Sequence, residues 1–181
     1  MNFWELATFA RAKNLDNIFL LNQALNQNVL IEDHKKFLKS FINHFEKSKN
    51  ISSQLYQDVF ASFIIGNKFN KTFLEFGATD GIDLSNSYML ELYEGWTGIL
   101  SEPSPQWHEA LIQNRKKTKI ITKCIWSQSG KKLDFFMSDI GVFSTINDFI
   151  ENEIKSIPGN TRQRKKGGKL VSVETISLND V

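Results

Sequence analysis

The chain has 181 residues, with 22 Lys and Arg against 20 Asp and Glu, three His, one Cys and 41% hydrophobic residues. That length supports one sizeable core, and a charged fraction of 23% with only three Pro excludes a disordered or collagen-like chain. Cys124 has no partner for an internal disulfide, no basic leader runs into an apolar stretch, and no segment approaches the roughly 18 apolar residues of a membrane span, so a cytoplasmic protein without a membrane is expected.

Residues 1–65 contain neither Pro nor Gly and read as helical. Ile18, Leu21 and Leu25 suggest a first helix. Phe37, Leu38, Phe41, Ile42 and Phe45 mark another, with Asp33 as its expected N-cap. Leu55, Val59, Phe60, Phe63 and Ile64 mark a third, which starts after Ser52 or Ser53 and stops at Gly66. This gives a helical cap or extension over residues 1–66, ahead of an α/β domain over 67–181. In that domain Thr72–Phe76 reads as a buried strand, residues 86–94 as a helix between Ser85 and Gly95, and Thr97–Ser101 as a second strand. A helix over Pro105–Arg115 and a strand over Lys119–Trp126 complete a strand–helix–strand–helix–strand order, the mark of a parallel sheet. Leu133–Met137 and Leu170–Ile176 read as a further strand pair. Between them, six bases and no acid fall between Lys155 and Lys169, so the rest of the chain is mildly acidic. That stretch reads as a solvated loop, and general nucleic-acid affinity is not expected.

The chemistry concentrates in Glu75-Phe76-Gly77-Ala78-Thr79-Asp80-Gly81, between a predicted strand and a predicted helix. Glycines there let a ligand approach the backbone where a parallel strand turns toward a helix. The dinucleotide pattern G-x-G-x-x-G fails twice, at Thr79 and Ile82, and no Gly-Lys-Ser/Thr follows for a P-loop. Glu75 and Asp80 would repel a pyrophosphate and attract an ammonium or sulfonium. Glu102 ends the second strand, 21 residues past Gly81, where an acid can accept hydrogen bonds from ribose hydroxyls. Glu75, Gly77, Asp80, Gly81 and Glu102 together describe a pocket for S-adenosylmethionine. The alternative is a tight strand-to-helix turn with solvated acids.

The run Phe73-Leu-Glu-Phe-Gly-Ala-Thr-Asp-Gly81, then Leu84-Ser-Asn-Ser-Tyr88 with Glu91, Gly95-Trp-Thr-Gly98 and Ser101-Glu-Pro103, resembles the FkbM family of S-adenosylmethionine-dependent methyltransferases. Ser53, Gln54, Asp58, Asn114-Arg115, Phe143-Ser-Thr145 and Val173 to Asp180 extend the resemblance over about residues 52–181. Thr79 and Ser87 depart mildly from the family pattern, which has Asn and Thr there. The resemblance implies a Rossmann-like class I methyltransferase fold and methyl transfer to a hydroxyl of a sugar or secondary metabolite. By position, Glu75, Gly77, Ala78 and Asp80 would lie toward the methionine end. Gly81 and Asn86 would line the turn and helix start, and Glu102 would hold the ribose. Adenine would lie near Pro103, Ile125 and Trp126, although Trp126 reads equally well as an ordinary core aromatic. The family's fold continues past the closing Ser-Leu-Asn-Asp, so an incomplete sheet and self-association are expected. No catalytic residue and no metal site can be named. His108 is a weak candidate base, and His34 and His44 lack partners at ligand spacing. A non-catalytic assembly module built on the same half-domain is the other reading.

Overall fold

The computed structural model describes residues 31–150, 164 and 166–181, with Asn22, Leu25 and Asn26. Ile18 and Leu21 of the first expected helix, and most of the basic loop, fall outside these residues. The chain forms two compact units, one of residues 1–71 with 86–95 and one of 72–85 with 96–181. Among the described residues, no helix is long and apolar enough to cross a membrane.

In the helical unit, α1 spans Glu32–Lys47, α2 spans Gln57–Ile65 and α3 spans Tyr88–Glu94. The apolar spacing of α1 puts Phe41 at its buried face, where it meets the rings of Phe60 and Phe63 on α2 edge-on at 6.0 and 5.3 Å. Such packing of aromatic edges onto faces is worth more than area burial alone. Asp33, the expected cap, sits inside the first turn, because the cap is Ile31 and the helix begins at Glu32, two positions earlier than expected. Its charge meets the positive end of the helix dipole instead. The α3 helix starts at Tyr88 rather than Asn86 and ends at Gly95, whose left-handed φ of 69° closes the last turn onto the Leu90 carbonyl.

Asp58 organises the entry to α2. Its fully buried carboxylate accepts from the backbone N–H groups of Ser52, Ser53 and Val59 and from the Ser53 hydroxyl. Of these donors the Val59 amide, in the first turn, is one that a helix start leaves without an intrahelical acceptor, and the Ser53 bonds tie the preceding segment to the helix.

The other unit is mixed α/β. Its strands β1 (Thr72–Phe76), β2 (Thr97–Ser101) and β3 (Lys119–Ile121) form a parallel sheet in the order β1-β2-β3. The helix α4 (Pro105–Asn114) links β2 to β3, with Pro105 at its first turn, where a missing N–H costs nothing. The strand expected over Lys119–Trp126 is broken into β3 and β4 (Cys124–Ile125). The reason is the end of β2: the chain turns away at Pro103, and the Ser101 hydroxyl takes the Lys123 carbonyl in place of a ladder amide. Here pairing passes to a four-stranded mixed sheet, ordered β4-β7-β5-β6. It contains β5 (Lys132–Ser138), β6 (Thr145–Ile146) and β7 (Gly168–Ile176). β7 pairs antiparallel with β5 and parallel with β4. Among the described residues β1 pairs only with β2, and Leu74 and Phe76 on its outer face are exposed.

Removing the Asp58 acceptor strands several buried donors at once. Asp58→Ala should cost about 2–4 kcal/mol, read from the urea midpoint of the helical circular-dichroism signal. A loss below about 1 kcal/mol would contradict the role given to this carboxylate.

Candidate functional site

The carboxyl ends of β1, β2 and β4 open on a cleft of about 330 Å³. This is where open parallel sheets bind ligands, and the volume lies at the lower end of the range of about 300–1,000 Å³ for small-molecule sites. Its walls are Phe76, Gly77 and Thr79 after β1, Ser101, Glu102 and Pro103 after β2, Trp107 on α4, and Cys124 and Ile125 on β4. Phe135 on β5 and Gly141, Val142 and Ser144 complete it. Among these described lining residues none is Lys, Arg or His, and the only carboxylate is Glu102.

Two consecutive glycine-turn amides are spent on β2. The N–H groups of Gly77 and Ala78 both donate to the Ser101 carbonyl, at 2.8 and 3.3 Å, and Thr79 N–H donates to Glu102 Oε2 at 2.8 Å. A phosphate-binding turn needs such amides turned toward the ligand. This one has turned them inward, which agrees with the failed dinucleotide pattern. Thr79 holds the left-handed conformation, φ 49°, that lets its amide reach the carboxylate. Gly77 (φ 66°) leaves open space where a side chain would stand. Gly81 is different: a Cβ there would lie 2.6 Å from Arg115 Cγ and 2.7 Å from Leu111 Cδ1. Its absence lets α4 close on the turn.

Glu102 is 3% exposed and accepts on both oxygens, from Thr79 N–H and, at 2.7 Å, from Ser104 N–H. Burial pushes its carboxyl above the ordinary 4.5, against the opposing pull of the Ser104 and Thr79 amides and of His108. Burial, with Glu102 as a smaller contributor, also pushes the Cys124 thiol up, so that sulfur is a poor nucleophile. His108 Nε2 donates to the Glu102 backbone carbonyl at 2.8 Å, which commits that nitrogen to holding the loop. It is a positioning group here.

The expected site residues separate into two groups. Gly77, Glu102, Pro103 and Ile125 line the cleft together. Glu75 does not: strand alternation turns it to the opposite face from Phe76, where it accepts from the Ser85 hydroxyl at 3.0 Å. Ser85 in turn accepts from Arg115 Nη1, which also donates to the Gly81 carbonyl at 2.9 Å. Ala78 is buried with Leu100 and Leu111. The Asp80 carboxylate accepts from the Ile82 and Asp83 amides, shaping the turn. Asn86 belongs to the helical unit. Trp126 packs against Phe149, with ring centroids 5.9 Å apart, outside the cleft wall.

Set against protein-family models, curated proteins and solved structures, the chain matches none.

Trp107, Phe135, Val142 and Gly141 are among the walls that sequence reasoning missed. Gly141 packs so closely under the indole that a Cβ would lie 2.3 Å from Trp107 Cζ2. The turn carrying it is fixed by Ser138 N–H donating to Ser144 Oγ and by the buried Arg164, whose Nε donates to the Phe143 carbonyl at 2.6 Å. Arg164 thus departs from the solvated loop expected for its segment. Among the described residues no group of three metal-ligating side chains comes together.

A carboxyl raised by burial binds its proton more tightly folded than unfolded. Its stabilising contribution is complete below 4.5 and is lost as pH rises through the folded value. The stability of wild type relative to Glu102→Gln should therefore fall as pH rises from 4.5, by paired urea titrations. A difference that is flat or rises with pH would contradict the buried, proton-favouring environment.

Proposed function

We propose that this cleft binds S-adenosylmethionine and that the chain is a methyltransferase of Rossmann-like class I, FkbM type, acting on a hydroxyl of a sugar or secondary metabolite. One observation carries the reading: a buried carboxylate at the end of β2 faces a cleft without basic side chains, beside a glycine turn whose first amides are already paired. An anionic wall without cations disfavours phosphate and carboxylate ligands and suits hydroxyls, an amine or a sulfonium.

Each wall then has a task. The Glu102 oxygens, already accepting one amide each, keep further lone pairs for the ribose hydroxyls. Pro103, Trp107, Ile125 and Val142 would enclose the base and exclude water from it. Gly77 leaves room for the chain between ribose and sulfur. The chemistry such a cofactor supplies is an already activated methyl group. The protein's part is to align an acceptor oxygen with it, since alignment accounts for much of the catalysis open to such a site.

Calorimetric titration with S-adenosylhomocysteine tests this. Wild type should bind in the micromolar range, and Glu102→Gln, which gives up one acceptor, should bind about 1–3 kcal/mol more weakly. Absence of binding by the folded chain at millimolar ligand, or an unchanged affinity of the variant, would overturn the assignment.

A further inference from the structure

Besides the acceptors of Glu102, the cleft wall carries a hydroxyl whose bonding leaves it a single role. Ser144 lines the cleft directly after the turn Gly141–Phe143. Its Oγ receives two hydrogen bonds, from the Ser138 N–H at 3.1 Å and from Gln106 Nε2 at 3.4 Å. A serine hydroxyl has one proton and two lone pairs. With both lone pairs engaged only the proton is left, and among the described residues it has no acceptor. The oxygen is held from two elements, since Ser138 ends β5 and Gln106 lies on α4. The backbone is held as well: Ser144 N–H closes the turn on the Gly141 carbonyl at 3.0 Å, and Arg164 Nε fixes the Phe143 carbonyl. Ser144 is therefore a donor placed before any ligand arrives.

The other donors of the wall are committed or unselective. The Gly77 and Thr79 amides go to the Ser101 carbonyl and to Glu102, and the Ser101 hydroxyl goes to the Lys123 carbonyl at 2.7 Å. The Cys124 thiol, a weak donor, lies 3.6 Å from the Ile125 carbonyl. The Nε1–Cε2–Cζ2 edge of Trp107 is the side packed on Gly141, where a Cβ would come within 3.0, 2.7 and 2.3 Å of those atoms. The Thr79 hydroxyl, in no hydrogen bond among the described residues, keeps lone pairs as well as its proton and so takes donors and acceptors alike.

A ligand atom that meets Ser144 must bring a lone pair. Gln106 directly precedes Trp107, and Val142 lies in the turn that Ser144 closes, so the hydroxyl stands in the part of the wall assigned to the base. Adenine offers ring nitrogens without protons, which act as acceptors. Resting on the reading of this cleft as a site for S-adenosylmethionine, we propose that Ser144 is its base-recognising residue, donating its hydroxyl proton to one ring nitrogen of the adenine.

The test is calorimetric titration of the full chain with S-adenosylhomocysteine and with its 1-deaza, 3-deaza and 7-deaza analogues, each of which replaces one ring nitrogen by C–H. Wild type should bind one of the three analogues about tenfold more weakly than the parent. Ser144→Ala should bind the parent about tenfold more weakly than wild type does, and should lose nothing further with that one analogue. A wall merely disturbed by the substitution would weaken all four ligands by the same factor, and that result would overturn the proposal. Equal binding of all four by wild type, unchanged parent affinity in Ser144→Ala, or coupling of the sensitive nitrogen to Trp107→Phe instead would also overturn it while leaving the cofactor reading in place. Binding of none of the four by wild type would overturn both.

Discussion

A buried carboxylate that serves two loops at once is the constraint on which the α/β unit turns. Glu102 stands where β2 ends and receives the Thr79 amide from the glycine turn on one oxygen and the Ser104 amide at the start of α4 on the other. Water could solvate this group better than two amides do, so folding pays a desolvation cost at this point. The return is geometry. The end of β1 is drawn against the end of β2, the amides of Gly77 and Ala78 close on the Ser101 carbonyl, and the cleft is left with a negative wall and no phosphate cradle.

A second buried network holds the back of the same turn. Arg115, 1% exposed at the end of α4, donates to the Gly81 carbonyl and to Ser85, and Ser85 donates to Glu75. Asn114 adds a bond to the Asp80 carbonyl at 2.8 Å. The guanidinium also lies over the Phe73 ring, 5.6 Å from its centroid. The turn is thus clamped from two sides, by Glu102 at the cleft and by Arg115 in the core. Glu75, Asp80 and Gly81 shape the site without lining it. A carboxylate near a ligand in sequence is not always near it in space, because strand alternation sends neighbours to opposite faces.

The sequence was most legible where punctuation is strong. β1 and β2 match their expected bounds because Gly77 and the Glu102-Pro103 step end them, and α4 begins at Pro105 as its fixed φ favours. The break inside Lys119–Trp126 was not legible, because it arises where the partner strand stops rather than from any residue in the run. Most of the cleft wall was hidden for a similar reason. Trp107 and Gly141 meet through tertiary packing, and only the glycine itself, in a short Gly-Val-Phe-Ser stretch, could have hinted at a close approach. The link from His44 through Ser62 to Glu94 spans three helices and leaves no trace in spacing.

The occupant of the cleft beside Glu102 decides between a methyl-donor site and a phosphate site. A crystal structure of the chain with S-adenosylhomocysteine tests this most directly. The ribose hydroxyls should lie within hydrogen-bond distance of the Glu102 carboxylate, with the adenine enclosed by Pro103, Trp107, Ile125 and Val142. Ligand bound away from Glu102, or a cleft that instead takes a phosphate-bearing nucleotide on the Gly77–Thr79 amides, would contradict it.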